Sequence, residues 1–99
     1  MDIIVTQDDI AAGEPNDGNE CPVARAAARA FGHRVFVGPE VLRGEWEPGE
    51  RAPWTIRAAN RGFWKPILGF LSRETTEIVE AYDDTDEMEP FSFTLNLAA

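Results

Sequence analysis

The residues best placed to do chemistry in this chain are carboxylates. Glu74, Glu77 and Glu80 recur at i, i+3 and i+6, Asp83 and Asp84 follow, and Asp86, Glu87 and Glu89 close the run. On a helix the first three form a stripe with neighbouring side chains about 5–6 Å apart. That spacing imitates a row of phosphates closely enough to occupy a basic nucleic-acid channel. Locally the stripe is unfavourable, because like charges so placed cost a few tenths of a kcal/mol per pair. Asp83 and Asp84 add negative charge where the helix dipole disfavours it, by a further ~0.3–1 kcal/mol. A sequence shaped by folding alone would intersperse lysines here. The plainer alternative is a solvated face of an acidic protein. Carboxylates can also hold a divalent cation, but Asp83-Asp84-Thr85-Asp86-Glu87 lacks the alternating ligands, central glycine and terminal glutamate of a calcium loop, so no metal is expected. Catalysis has less to draw on. Cys21 and His33 are the sole cysteine and histidine, twelve positions apart with no orienting motif around them, and a small buried cysteine at a helix start is the commoner case. One Cys and one His cannot close a zinc site, and no phosphate-binding glycine loop is present. The expectation is a non-enzyme with no cofactor.

The distribution of charge carries more than its sum. The 99 residues have a net charge of −9. Residues 1–24 hold six acids (Asp2, Asp8, Asp9, Glu14, Asp17, Glu20) and residues 74–99 hold eight, and neither stretch contains a lysine or arginine. All nine basic side chains lie between Arg25 and Arg73, against four acids. Direct binding to DNA, RNA or an anionic membrane is therefore not expected, since phosphate contacts need Lys and Arg. A basic partner suits both ends, and complementary charge would also speed association with it.

The elements that must position these acids can be read locally. At 43% apolar residues the chain has a globular composition and the length of one domain, 1–99. No stretch reaches the ~20 apolar residues of a membrane span. With no basic-then-apolar leader and a single cysteine, the expected location is the cytoplasm. Ile3-Ile4-Val5 reads as a strand, and Thr6 as the N-cap of a short helix over 7–12 that Gly13 ends. A loop follows to Asn19. Pro22 opens a helix over about 22–31 in which Val23, Ala26, Ala27, Ala30 and Phe31 share a face, with Arg25 and Arg29 on another and Gly32 past its end. His33–Val37 alternates as a strand, Gly38-Pro39 turns the chain, and Val41–Trp46 and Trp54–Ala58 continue a meander around the turn at 47–50. Residues 60–69 resist assignment, though Phe63, Trp64, Ile67 and Leu68 look buried. Ser72 caps a helix over about 72–83 whose inner side is Leu71, Ile78, Val79 and Tyr82. Phe91, Phe93, Leu95 and Leu97 alternate with Ser92, Thr94 and Asn96 as a final strand. The fold class expected is α+β: a small antiparallel sheet of about four or five strands, two main helices and a short N-terminal one. Setting the last strand beside the first would bring both acidic ends onto neighbouring surface.

Two segments resemble a known group. Ile4-Val5-Thr6-Gln7-Asp8-Asp9-Ile10-Ala11-Ala12-Gly13, then Cys21-Pro22-Val23-Ala24 and Arg29-Ala30, are similar to small proteins of phages and mobile elements that run I-x-V-T-x-x-x-I-x-x-G and then C-x-x-C-P-[IV]-A. Ile78–Asp83 and Glu89–Leu95 resemble their terminal helix and strand. The likeness covers about half the chain, at its ends; residues 38–70 do not share it. Gly18 stands where that group has the first cysteine, so a paired-cysteine metal or redox role is excluded. Such proteins include acidic anti-CRISPR proteins that act as DNA mimics, and the resemblance implies an inhibitor of a type I, I-C-like, surveillance complex.

The resulting expectation is a monomeric, non-catalytic inhibitor. Glu74, Glu77, Glu80, Asp83, Asp84, Asp86, Glu87 and Glu89, assisted by Asp8, Asp9, Glu14, Asp17 and Glu20, would occupy a Lys/Arg-lined DNA-binding site on the large subunit of a Cascade-type complex. The alternative is a protein–protein module, an antitoxin or transcription regulator, that uses the middle segment. There Trp46, Trp54 and Trp64, core by default, lie near Arg43, Arg51, Arg57, Arg61 and Lys65 in sequence.

Overall fold

The computed structural model describes residues 1–39, 54–58 and 67–98. Ile3 and Val5, each 1% exposed, fix the inward side of strand β1 (Asp2–Val5). Thr6 leaves the strand in extended conformation and caps helix α1 (Gln7–Ala12), which ends on Gly13. Helix α2 (Pro22–Phe31) starts with proline at its first position and stops at Gly32, whose φ of 79° is the left-handed region glycine adopts without penalty. Strands β2 (Val35–Pro39), β3 (Trp54–Ala58) and β4 (Ile67–Phe70) follow, then helix α3 (Arg73–Thr85) and strands β5 (Phe91–Thr94) and β6 (Asn96–Leu97). The architecture is α+β. Two antiparallel sheets pair β1 with β5 and order the rest β2-β3-β4-β6.

The first and last strands do lie side by side, with Ile3 opposite Phe93 and Val5 opposite Phe91. The terminal segment is not one continuous strand, however. It leaves β1 after Thr94 and joins β4 at Asn96. Leu95 sits at the crossing, 1% exposed, donating its N–H to the Met1 carbonyl (2.7 Å) and accepting from the Met1 ammonium (3.1 Å). On the short edge strand β6 both Asn96 and Leu97 face out, so Leu97, expected inside, is 56% exposed. Gly69 permits this crossing. A Cβ there would lie 2.6 Å from Leu95 Cγ and 2.8 Å from the Asn96 carbonyl oxygen. Gly69→Ala should therefore cost about 2 kcal/mol by overpacking a site where one of the obstructing atoms is backbone, measured by urea unfolding.

Three further expectations shift. Gly38 and Pro39 do not turn the chain but complete β2, opposite Thr55 and Trp54. A proline is tolerated there because β2 is an edge strand and needs no ladder donor at that position. That edge is sealed by the preceding loop, where the Gly18 carbonyl accepts from Val37 N–H (2.8 Å) and Asn19 Nδ2 donates to the Val35 carbonyl (3.0 Å). On α2 the inner side is Val23, Ala24, Ala26 and Ala27, while Ala30 is exposed and Phe31 half-buried. On α3 it is Thr75, Thr76, Val79 and Tyr82, and Ile78 is 37% exposed. The two threonines can be buried because Ser72 satisfies their hydroxyls: Thr76 Oγ1 donates to the Ser72 carbonyl and Thr75 Oγ1 meets Ser72 Oγ, both at 2.9 Å. The strand expected over 41–46, the turn at 47–50 and the burial of Phe63 and Trp64 lie outside the described residues. Among the described residues no helix is long and apolar enough to cross a membrane.

Candidate acidic interface

The loop 13–20 and the end of α3 are separated by most of the chain, yet one residue fastens them together. Asn16 donates its backbone N–H to Asp83 Oδ1 (2.8 Å) and its Nδ2 to the Asp83 carbonyl (2.9 Å). Asn16 has φ 58°, a left-handed conformation that asparagine accepts more readily than most residues. Asp17 shapes the next turn: its Oδ1 accepts from Asn19 N–H (3.0 Å) and Glu20 N–H (3.2 Å), and its carbonyl accepts from Cys21 N–H (2.8 Å). These bonds carry the first acidic stretch against the second.

The joined surface presents Glu14 from the loop and Asp84, Asp86 and Glu87 from the helix end, all exposed, with Asp83 and Asp17 half-buried at the seam. Glu74 and Glu77 are exposed farther along α3, Glu77 in a loose 3.4 Å contact with Arg73 of the same helix. Glu80 is half-buried and partnered. Asp8 and Glu89 are exposed on their own segments. Ile78 and Ala81 are the apolar exposures between these acids on α3. Two expected contributors serve elsewhere. Asp9 is only 3% exposed and bound to Arg29 and Thr6, which removes it from any partner surface. Glu20 faces Arg25 (3.5 Å) and Arg34 (3.4 Å).

Two titrating groups register the acids around them. Burial raises the Tyr82 phenol above its ordinary value, and the Asp86 and Glu14 carboxylates raise it further, so loop and helix acids act on one side chain. Among the described residues its hydroxyl, on a side chain 1% exposed, meets no acceptor at full hydrogen-bond geometry, and Asp86 is the acid that acts on it most strongly. Burial likewise pushes the Cys21 thiol up to about 11, with Asp83 and Asp17 contributing. A thiol so held stays protonated at neutral pH and is a poor nucleophile.

The chain matches no protein-family model, no curated protein and no solved structure. What the acidic surface can do must therefore be argued from its own geometry. Cys21 caps the start of the ten-residue α2, and His33 follows its end, so they stand roughly 15 Å apart and form no nucleophile–base pair. His33 is exposed, its Nδ1 2.9 Å from the Arg34 carbonyl and its ring 6.0 Å from that of Phe31. Among the described residues no three His, Cys, Asp or Glu side chains are grouped to hold a metal ion. A cleft of roughly 200 Å³ opens beside the seam, walled by Phe36, Trp54 and Val79 and edged by Asp17 and Asp83. Sequence reasoning missed Asn16 altogether. Its only signal was membership of a loop-forming stretch, which says nothing about a contact 67 residues away.

Proposed function

We propose that this protein is a non-catalytic inhibitor that binds a basic nucleic-acid-binding surface by imitating DNA phosphates. The observation that carries the reading is the Asn16–Asp83 fastening, which sets Glu14 and Asp17 of one lysine- and arginine-free stretch beside the helix-end acids of the other. The Asp83 and Asp17 carboxylates, held by backbone N–H groups at the seam, lose less side-chain freedom on docking than a solvated fringe would. Ile78 supplies an apolar contact among them, and such contacts hold where charge alone is screened. The likeness of both chain ends to phage and mobile-element proteins directs the partner: the large subunit of a type I CRISPR surveillance complex, at the Lys/Arg-lined site that receives target DNA.

The test is competition. Immobilised protein should retain the type I complex at low salt, release it as salt rises, and lose it to target duplex DNA. Retention of the complex that neither salt nor DNA disturbs would overturn phosphate imitation in favour of an ordinary protein–protein contact of the antitoxin or regulator kind.

A further inference from the structure

The same loop has a second side with the opposite sign. Residues 16–18 edge the cleft beside the acidic face, while Asn19 and Glu20 line a separate groove of roughly 300 Å³ with Arg25, Arg29, Arg34 and Asp9. The three arginines are not equally occupied. Arg29 is complete, its Nη1 and Nη2 each 2.8 Å from an Asp9 oxygen. Arg25 and Arg34 share the single carboxylate of Glu20 at 3.5 and 3.4 Å, well beyond the ~2.7–2.9 Å of a tight charge-assisted bond. Arg25 Nε is buried and has no acceptor among the described residues. Leaving such a donor unmade is unfavourable, and in a chain of net charge −9 this concentration of arginine is out of keeping with its surroundings.

We propose that this groove is a phosphate site in which Glu20 is a displaceable stand-in. Glu20 is 42% exposed and held by two long contacts, so its carboxylate swings to water at little loss. Among the described residues Arg25 and Arg34 are then left with two uncompensated positive charges, because Asp9 already neutralises Arg29. A phosphate or phosphomonoester carries about −1.5 to −2 at neutral pH and matches that charge, whereas a carboxylate supplies half of it. Arg25 Nη1–H, released from Glu20, donates to the oxyanion from the inner side. Arg34, 69% exposed, closes from the outer side. The acidic face beyond the loop opposes the ligand only weakly at physiological salt, where screening acts within ~8 Å.

The full chain is titrated with inorganic phosphate, with glycerol phosphate and with acetate at constant ionic strength, following the arginine Nε–H signals by NMR. Phosphate should shift Arg25 and Arg34 saturably and leave Arg29 nearly still, with acetate weaker by roughly tenfold. Arg34→Gln should weaken phosphate binding roughly tenfold, as expected for loss of one charge-assisted partner. Glu20→Gln should tighten it, a direction that a purely structural salt bridge does not give. Saturation by both phosphates supports a phosphomonoester ligand, and saturation by free phosphate alone supports a site for the free ion. Unsaturable shifts at all three arginines alike, acetate binding as tightly as phosphate, or no tightening in Glu20→Gln would overturn the proposal.

Discussion

Replacing Glu14, Glu74, Asp84 and Glu87 together with lysine should abolish binding to a basic partner while leaving the fold intact. Each reversal changes the charge by two units, so the net charge falls from −9 to −1. Like-charge juxtaposition at an interface costs several kcal/mol in sum, and every 1.4 kcal/mol is tenfold in affinity, so a loss of roughly a thousandfold or more is expected. Stability should hardly move, because the local terms oppose one another. Glu74 sits in the first turn of α3, where an acid is favourable, and its loss costs a few tenths of a kcal/mol. Asp84 lies in the last turn, where a lysine returns about as much. Glu14 and Glu87 are exposed, and neither carboxylate bonds a partner among the described residues. Asp83 is deliberately spared, since its carboxylate receives the Asn16 N–H and its reversal would unfasten the loop as well as change the charge. Thermal melting and the competition measurement on the same preparation separate the two effects. A folded quadruple variant that still binds would remove the case for phosphate imitation.

The sequence made visible those features whose causes are local. Thr6, Ser72, Pro22, Gly13 and Gly32 announce helix ends because capping acts over three or four residues. The alternation of 91–97 correctly placed Phe93 and Leu95 inside. It failed at Leu97 because the chain changes sheets at Leu95 and then runs as a two-residue edge strand exposed at both positions, and no local signal marks that crossing. Gly38-Pro39 carries turn chemistry but lies at an edge whose missing donor has no consequence, which only the strand order β2-β3-β4-β6 reveals. Ile78 lost its expected inner place to Thr75 and Thr76, whose hydroxyls become buriable once Ser72 accepts or shares their hydrogen bonds. The acidic character of the site was legible from composition alone. Its unity was not, because it rests on one asparagine reaching an aspartate 67 residues on. Asp9 was legible in part: Thr6-x-x-Asp9 has the spacing of a capping box, but the arginine that completes its environment lies 20 residues away.

That environment makes Asp9→Ala a substitution expected to damage the fold severely. One carboxylate accepts four hydrogen bonds: from Thr6 N–H (2.9 Å), Thr6 Oγ1 (3.1 Å), and Arg29 Nη1 and Nη2 (both 2.8 Å). Arg29 Nη2 also donates to the Ile4 carbonyl (3.1 Å), so the pair ties β1, α1 and α2 together. Removing the cap contribution costs ~1 kcal/mol, and losing the charge-assisted bonds to a side chain only 4% exposed costs ~2 kcal/mol more. Arg29 is 55% exposed and can return to water, which keeps the total near ~3 kcal/mol rather than the larger penalty of a stranded buried charge. In a domain of this size that lowers Tm by on the order of 10–20 °C. The pH dependence identifies the cause. The Arg29 guanidinium, foremost, holds the Asp9 carboxyl below its ordinary value of 3.8 despite burial, and the Thr6 bonds assist. A folded value below the unfolded one means that the stabilisation is full above the ordinary carboxylate range and is lost as pH falls through the folded value. Urea unfolding of the parent chain should therefore show a steep loss of stability below about pH 4. Asp9→Asn, which keeps the shape and cannot titrate, should start less stable and lose less on acidification. Parallel loss in the two chains would mean that the Asp9–Arg29 pair is not what links the strand to the helices.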